Sequence, residues 1–266
     1  MAGTRREWRN DMIRGVLFDK DGTILEFDTL WGAATRRVIP SFLRALSVPA
    51  EHHLYERMLE VLGVTEVGVD AEKALAWMPY AQMAEVLIKA LKEEGFVIKN
   101  PDAAAILTKL YYKEITRPEA KIIPTADLIR VMKKLKDRKC LIGLATADSE
   151  RAAKFCLDRL KIRNYFDYIG ASGETVRPKP ASDLCDRFCR KYRLLPEEVM
   201  VVGDSPTDME FAHNSGALAV GVLSGVGSRE GLKGMADILI PSVDVLDQIW
   251  KMDLYKNKKM AAASSI

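Results

Sequence analysis

The first apolar run of the chain predicts a buried β-strand that ends in acidic residues. Its apolar members are Ile13, Val16, Leu17 and Phe18, and the stretch FDKDGTI begins at the last of them. A short apolar run bounded by a turn signal is typical of a strand in a buried sheet. Residues two apart on a strand share a side, so we expect Asp19 and Asp21 to face the same way. Lys20 is expected to point to the opposite face and to have no chemical role.

Residues 30–117 carry apolar side chains at three- and four-residue spacing, which is the pattern of amphipathic helices. The helical segments are WGAATRRVIPSFLRAL, YERMLEVLG, AEKALAWMPYAQMAEVLIKALKEEG and PDAAAILTKLYYKEI. Gly63, Gly95 and Pro101 separate them. Because no strand-like pattern interrupts this block, we predict a helical domain inserted after the first strand.

From residue 124 onward, helical and strand-like patterns alternate. The predicted helices span 125–138, 149–160, 181–192 and 206–215, and the predicted strands span 140–145, 168–171, 199–202, 217–223 and 237–240. This alternation predicts an α/β protein with a Rossmann-like, doubly wound parallel sheet. The predicted domains are an α/β core of residues 1–29 and 118–255, an inserted α-helical cap of residues 30–117, and a disordered tail of residues 256–266.

Composition places the chain among ordinary globular proteins. It has 266 residues, of which 48% are hydrophobic and 29% charged. The net charge of +3 gives no support for nucleic-acid binding. No apolar run approaches the ~20 residues of a transmembrane helix, and the N-terminal MAGTRREWRND lacks a secretory signal. We therefore expect a cytoplasmic protein with no membrane partner. An organelle-targeting peptide stays open, although Glu7 and Asp11 count against it.

The cysteines and histidines do not indicate a second site. The cysteines are Cys140, Cys156, Cys185 and Cys189, too few and too scattered for a disulfide framework. Cys185 and Cys189 share a predicted helix face, but no second ligand pair accompanies them, so we expect buried thiols rather than a metal site. His52 and His53 are expected to be exposed in the cap, and His213 lacks a partner for a catalytic triad.

Polar residues follow several of the predicted strands. Asp19 and Asp21 follow the first strand, Thr146 follows the next, and Asp204 lies in GDSPTD after VMVV. RPKPASD places Lys179 just before a helix. Ligands bind beyond the carboxyl ends of the strands in doubly wound sheets. Each residue alone also fits an ordinary role, such as a turn, a solvated cation or a helix N-cap, but their occurrence together at one edge favours a site.

These motifs resemble those of the haloacid dehalogenase superfamily, and the resemblance covers nearly the whole chain. The family has an Asp-x-Asp-Gly-Thr loop, a Thr or Ser after a second strand, a lysine, and a Gly-Asp-x-x-x-Asp loop. DKDGT, Thr146, Lys179 and GDSPTD match in that order. KPASD and GVLSGVGSREGL are similar to segments of the phosphoglycolate phosphatase-type branch. Two departures are Ala147-Asp148 after Thr146, where an Asn is common, and Ser182, where a Pro is common.

The resemblance implies roles for the two carboxylates of the first motif. Asp19 would attack phosphorus and form an aspartyl-phosphate. Asp21 would protonate the leaving alcohol and later deprotonate the attacking water. Mg²⁺ prefers oxygen ligands, and Asp19, the backbone carbonyl of Asp21, and Asp204 would hold it.

The remaining motif residues are implied to bind the phosphoryl group or to support the site. Thr146, the neighbouring backbone amide of Ala147, and Lys179 would hold the phosphoryl oxygens. Asp208 would orient Lys179 or a metal-bound water. The supporting residues of the first motif are Gly22 and Thr23.

The expected function is therefore a Mg²⁺-dependent phosphatase acting on a small phosphorylated metabolite of the phosphoglycolate type or similar, as a monomer or homodimer. The alternatives are a sugar phosphomutase and a phospho-ligand binding or regulatory protein with little turnover; Asp21 counts against a dehalogenase. Trp31, Arg36 and Arg37 begin the cap, where a basic side chain can pair with a second anionic group on the substrate. For Arg36 that role stays open, whereas Arg37 is expected to be solvated. The role of Trp31 also stays open, packing in a hinge being the alternative to a part in the site. Calcium-loop, dinucleotide-binding and P-loop motifs fail on spacing.

Overall fold

The structure is a computed structural model that describes residues 13–171 and 176–251. The predicted tail of residues 256–266 and the basic N-terminal stretch lie outside the described residues.

Among the residues that the structure describes, eight strands form two sheets, and the larger one carries the candidate site. In chain order the strands are β1 Gly15–Phe18, β2 Val64–Thr65, β3 Gly68–Val69, β4 Leu141–Thr146, β5 Tyr168–Ala171, β6 Val199–Gly203, β7 Leu218–Val222 and β8 Ile238–Ile240. The six-stranded sheet has the order β5-β4-β1-β6-β7-β8, and all of its neighbouring strands are parallel. The predicted doubly wound α/β fold is confirmed. Because β1, β4 and β6 are adjacent, the residues that follow them meet at one edge.

Helices cover both faces of this sheet. In chain order the α-helices are α1 Phe27–Ala45, α2 His52–Leu62, α3 Ala74–Trp77, α4 Tyr80–Glu93, α5 Ala103–Ile115, α6 Leu128–Asp137, α7 Glu150–Arg159, α8 Asp183–Tyr192, α9 Pro206–Ser215 and α10 Arg229–Leu232. Alternation along β1 divides the core, as the two-residue period of a strand requires. Val16 and Phe18 pack with α6 and α7, whereas Leu17 packs with α8 and α9.

The cap has its own apolar core, formed mainly by side chains of α1 to α5. One expectation for this segment was wrong, because β2 and β3 form a short antiparallel hairpin within it. Strands of two residues each are too short to show the period of two on which a strand prediction depends. The predicted break at Gly63 is confirmed, since Gly63 ends α2 with φ 87°, a left-handed conformation that favours glycine.

Candidate active site

Asp19 lies at the carboxyl end of the central strand. Its backbone N–H donates to the carbonyl of Val202 at 2.8 Å, which extends the pairing of β1 with β6 by one residue. The chain then turns through Gly22, whose φ is 85°. A Cβ at Gly22 would lie 2.2 Å from Oδ2 of Asp204. Glycine is therefore needed here both for the turn and for the close approach of the two loops.

Three carboxylates converge beyond β1 and β6. Oxygen atoms of Asp19, Asp204 and Asp208 lie within 4.8 Å of one another, and all three residues are buried. Burial raises the pKa of Asp19 to about 7, against the opposing effect of Lys179. Burial, followed by the charges of Asp19 and Asp208, raises the pKa of Asp204 well above its ordinary value. A divalent cation with oxygen ligands would relieve this excess of negative charge, so the donor set fits Mg²⁺.

Asp204 is fixed by the loop after β7 as well as by the first motif. Its Oδ1 accepts a 3.3 Å hydrogen bond from the Thr23 hydroxyl, and its Oδ2 accepts a 2.8 Å bond from the Val226 N–H. A Cβ at Gly225 would lie 2.0 Å from Oδ2 of Asp204, and one at Gly227 would lie 1.9 Å from its carbonyl oxygen. The glycines of GVLSGVGSREGL thus let the backbone close around this carboxylate.

Lys179 supplies the ammonium group of the carboxylate cluster. Its Nζ lies 2.5 Å from Oδ1 of Asp19 and 2.6 Å from Oδ1 of Asp208. Burial opposes the charge on Lys179, but these two carboxylates outweigh it and raise the pKa of the ammonium group. Asp208 is itself held by Ser205, whose N–H and hydroxyl donate to Oδ2 at 3.1 and 2.6 Å. The structure therefore brings Asp208 into contact with Lys179, as the sequence-based hypothesis required.

Thr146 and Ala147 lie at the end of β4, next to β1, and line the same cavity as Asp19 and Lys179. The Thr146 hydroxyl accepts a 3.1 Å hydrogen bond from the N–H of Asp148. This bond fixes the turn that leads from β4 into α7. Every predicted site residue with a polar side chain therefore lies at one edge of the sheet.

The expectation for Lys20 was wrong. Lys20 is fully buried, and its Nζ lies 2.7 Å from Oδ2 of Asp21 and 3.1 Å from Oδ2 of Asp148. Burial opposes its charge, but Asp21 and Asp148 outweigh that effect and raise the pKa of the ammonium group. Strand alternation did not apply because β1 ends at Phe18, before this residue. The positive group beside Asp21 is thus the lysine next to it in the chain.

The cap reaches the core carboxylates through two aromatic side chains. The indole N–H of Trp31, on α1, donates to Oδ1 of Asp21, and the hydroxyl of Tyr80, on α4, donates to Oδ1 of Asp148 at 2.8 Å. Tyr111, on α5, packs between them, with ring centroids 5.7 Å from Trp31 and 5.2 Å from Tyr80. Trp31 therefore contacts the loop that carries Asp19 and Asp21 rather than simply filling a hinge.

The two arginines at the start of the cap are engaged elsewhere. The guanidinium group of Arg36 donates to the carbonyl of Thr65 at 2.6 Å, and that of Arg37 pairs with Glu114 at 2.6 Å. Neither residue lines the cavity. The role left open for Arg36 stays open, and Arg37 is 43% exposed but pairs with Glu114 rather than being simply solvated.

Sequence reasoning missed Lys20, Tyr80 and Asp148 as members of the site. A signal existed for Asp148, since Ala147-Asp148 follows Thr146 where the family pattern commonly has an Asn. A lysine beside two carboxylates was also a signal for Lys20. Tyr80 gave no signal, because its contact depends on how the cap packs on the core.

The burial of the cysteines and the exposure of His52 and His53 match the expectations. Cys185 and Cys189 are buried free thiols with sulfur atoms 3.9 Å apart, and the carboxylate cluster is the metal-ligand group found among the described residues. His52 and His53 are exposed in the cap. His213 is half-exposed near Asp237.

Comparison with known proteins identifies relatives over most of the chain. The family model of the haloacid dehalogenase-like hydrolases matches residues 13–216. The phosphoglycolate phosphatase of Shigella boydii serotype 4 (strain Sb227) is 27% identical over 241 residues, which cover 88% of this chain and 91% of the relative.

Solved structures share the fold at lower identity. A predicted phosphoglycolate phosphatase from Haemophilus somnus 129pt superposes with a TM-score of 0.65 and 16% identity, covering 90% of this chain and 98% of that one. The β-phosphoglucomutase of Clostridium difficile also has a TM-score of 0.65, with 18% identity and coverage of 93% and 99%. Among the described residues, no helix has the length and apolar character required to cross a membrane.

Proposed function

Because the chain belongs to the haloacid dehalogenase-like hydrolases, we propose that it is a Mg²⁺-dependent phosphatase that hydrolyses a small phosphate monoester through a phosphorylated Asp19. The resemblance found in the sequence is confirmed at the level of family and enzyme class. One observation carries the proposal. Asp19, at the end of the central strand, lies 2.5 Å from Lys179 and within a cluster of buried carboxylates.

In the first step, a carboxylate oxygen of Asp19 forms a bond to phosphorus as the bond to the leaving alcohol breaks. Lys179, the Thr146 hydroxyl and the backbone amide of Ala147 hold the phosphoryl oxygens while charge shifts from one side to the other. Asp19, Asp204 and the backbone carbonyl of Asp21 would hold Mg²⁺. When bound, this ion supplies positive charge that offsets the repulsion between Asp19 and the phosphate dianion.

Asp21 carries the proton in both steps. It donates a proton to the departing oxygen, then accepts one from the water whose oxygen attacks phosphorus and releases Asp19. Burial, followed by the charge of Asp148, raises the pKa of Asp21, whereas Lys20 lowers it. The Trp31 N–H and the Lys20 ammonium group fix the position of its carboxylate. Asp21 is thus held in place, and its raised pKa favours the protonated form relative to an ordinary aspartate.

Two further parts of the proposal concern the substrate, and the cellular compartment and oligomeric state of the enzyme. Because the Shigella relative is a phosphoglycolate phosphatase, phosphoglycolate or a similar small monoester is the first substrate to test. We place the enzyme in the cytoplasm, as a monomer or homodimer, and the buried free thiols fit a reducing compartment.

The test is phosphate release from a panel of phosphorylated metabolites with Mg²⁺, for the wild type and Asp19→Asn. The Asn variant keeps the shape of the side chain but replaces the nucleophilic carboxylate with a neutral amide, so we expect it to fold and to lose turnover. Beryllium fluoride is expected to inhibit the wild type by binding Asp19 as a mimic of the phosphoenzyme.

The matched control is Asp158→Asn, which removes an exposed carboxylate paired with Arg163 and should keep full activity. Wild-type rates in Asp19→Asn would show that another group attacks. Isomerisation of a sugar phosphate without phosphate release would support a phosphomutase. Tight phosphate binding without turnover would support a regulatory protein.

A further inference from the structure

The cap side of the active-site cavity is apolar and aromatic. Its lining side chains from the cap include Trp31, Leu75, Trp77, Met78, Tyr80 and Met83. Within the described residues, the cap contributes no lysine, arginine or histidine to this lining. The core side holds the carboxylate cluster, Lys179 and the turn at Thr146. A phosphate bound at the core thus directs its leaving group towards an uncharged wall.

The polar atoms of the aromatic side chains are already engaged. The Trp31 N–H donates to Asp21 and the Tyr80 hydroxyl to Asp148. The indole N–H of Trp77 points to the backbone carbonyl of Glu72 at 3.4 Å. What these side chains offer the cavity is therefore ring surface rather than hydrogen-bond donors.

The cations near the site are engaged as well. Lys179 lies between Asp19 and Asp208, where the phosphoryl group binds, and Lys20 is fully buried between Asp21 and Asp148. Arg36, the candidate for a second anionic group, donates to a backbone carbonyl of the cap hairpin. The carboxylates of the site outnumber its ammonium groups. A second anionic group on the substrate would therefore be repelled by these carboxylates and would find no cationic partner.

From this geometry we infer that the leaving group is an uncharged alcohol or phenol with an apolar or aromatic body, and not a carboxylate-bearing alcohol such as glycolate. The inference rests on the proposed phosphatase function and narrows its substrate class. A substrate carboxylate enclosed between the apolar cap residues and the core carboxylates loses its hydrating water molecules and gains no positively charged partner. An apolar body at the same place gains from contact with the aromatic rings.

Matched substrate pairs test the inference by phosphate release with Mg²⁺ at one pH. Phenyl phosphate is compared with para-carboxyphenyl phosphate, and hydroxyethyl phosphate with phosphoglycolate. The carboxylate of the aryl pair withdraws electrons and makes the phenolate a better leaving group, so intrinsic chemistry favours the charged member. We expect the enzyme to reverse that order, with kcat/KM higher for the neutral member of each pair by about tenfold or more.

A second experiment places a positive charge among the apolar cap residues that line the cavity. Met78→Arg adds a cation among the cavity-lining residues and is expected to raise kcat/KM for phosphoglycolate relative to hydroxyethyl phosphate. Val67→Arg adds the same charge at a position that is 97% exposed and outside the cavity, and should leave the ratio unchanged.

The outcomes separate the two proposals. Preference of the wild type for phosphoglycolate over hydroxyethyl phosphate would overturn this inference and leave the phosphatase function standing. Absence of turnover with every member of both pairs would instead contradict the proposed function. A change of ratio in Val67→Arg equal to that in Met78→Arg would show that general charge, and not the wall, sets the preference.

Discussion

The ammonium nitrogen of Lys179 lies 2.5 Å from Oδ1 of Asp19, although 160 residues separate the two in the chain. The contact forms because Asp19 follows β1 and Lys179 precedes α8, which packs on the same sheet. Before substrate arrives, Lys179 occupies the side of Asp19 where phosphoryl oxygens are proposed to bind. We therefore propose that Lys179 pairs with Asp19 before substrate binds and with the phosphoryl group afterwards.

We expect Lys179→Met to lower kcat/KM for phosphate release by about 10²–10³-fold, the loss typical of removing one donor to developing charge. The methionine keeps the length of the side chain and removes its charge. Steady-state kinetics measure the effect, with Lys133→Met, at an exposed position on α6, as the control. An unchanged kcat/KM in folded Lys179→Met would show that Lys179 only balances the charge of the carboxylates.

Metal removal forms the second prediction. Excess chelator is expected to abolish phosphate release, and Mg²⁺ to restore it, because the buried carboxylates of Asp19 and Asp204 need a divalent counter-charge beside a phosphate dianion. Mg²⁺ should also raise the thermal unfolding temperature, since a ligand of the native state stabilises by about 2.7 kcal/mol at a concentration of 100 times Kd.

Asp204→Asn should remove most of this thermal shift, whereas Asp158→Asn, at an exposed carboxylate, should retain it. Full activity in chelator would contradict the metal-dependent mechanism.

The third prediction concerns stability against pH in chelator. Burial raises the pKa of Asp19 from 3.8 to about 7 in the folded protein. The raised pKa means that protonated Asp19 stabilises the folded state. This contribution to stability is fully present below about pH 4 and is lost as the pH rises through about 7. Asp19→Asn lacks this loss, so its free energy of unfolding should rise relative to the wild type across that window. Urea unfolding at several pH values measures the difference.

Asp183 provides a control whose contribution to stability changes with pH in the opposite direction. Its hydrogen bonds from Arg177 lower its pKa, so its contribution is present at higher pH and is lost as the pH falls. Asp183→Asn should thus lose stability relative to the wild type as the pH rises. The same slope in both variants would show that the burial of Asp19 is not the cause.

The residues that meet at the carboxyl edge of the sheet could be predicted from the sequence because two simple rules apply there. Apolar runs place the strands, and parallel strands bring their carboxyl ends to one edge. Asp19 and Asp204 each follow a strand directly and Thr146 is the last residue of one, so their meeting required no knowledge of side-chain packing. The roles assigned to them remain predictions.

The surroundings of Asp21 could not be predicted in this way. Alternation gave the wrong direction for Lys20 because the strand ends before it, and the long side chain reaches back to two carboxylates. The contacts of Trp31 and Tyr80 depend on the packing of the cap against the core. Helical periodicity marks these residues only as apolar and does not reveal where their polar atoms bind.

The fourth prediction follows from the indole N–H that Trp31 donates to Asp21. Trp31→Phe keeps a ring against Tyr111 and removes the donor, so Asp21 should lose part of its fixed position. We expect kcat to fall more for an alkyl phosphate than for nitrophenyl phosphate, with a smaller change in KM. Trp77→Phe is the control, because Trp77 lines the same cavity but donates to a backbone carbonyl. Equal changes in both variants would indicate a general effect of the cap wall.

The last prediction separates the two carboxylates of the first motif by role. Only Asp21 is proposed to exchange a proton with the leaving oxygen. Asp21→Asn should therefore be most harmful for alkyl phosphates, whose alkoxides are unstable unless protonated, and least harmful for nitrophenyl phosphate. General acid–base assistance is typically worth about 10²–10⁴-fold, so the difference between the two substrates is large enough to measure.

Because Asp21 is also proposed to activate water in the second step, single-turnover or burst data are needed to isolate the first. The control is Asp19→Asn, which should lose activity towards alkyl and aryl phosphates alike, since both substrates need the nucleophile. Equal losses in Asp21→Asn would assign Asp21 to holding Lys20 and Trp31 in place, because a disturbed loop slows phosphoryl transfer whatever group departs. A loss confined to the alkyl substrate would identify Asp21 as the proton donor.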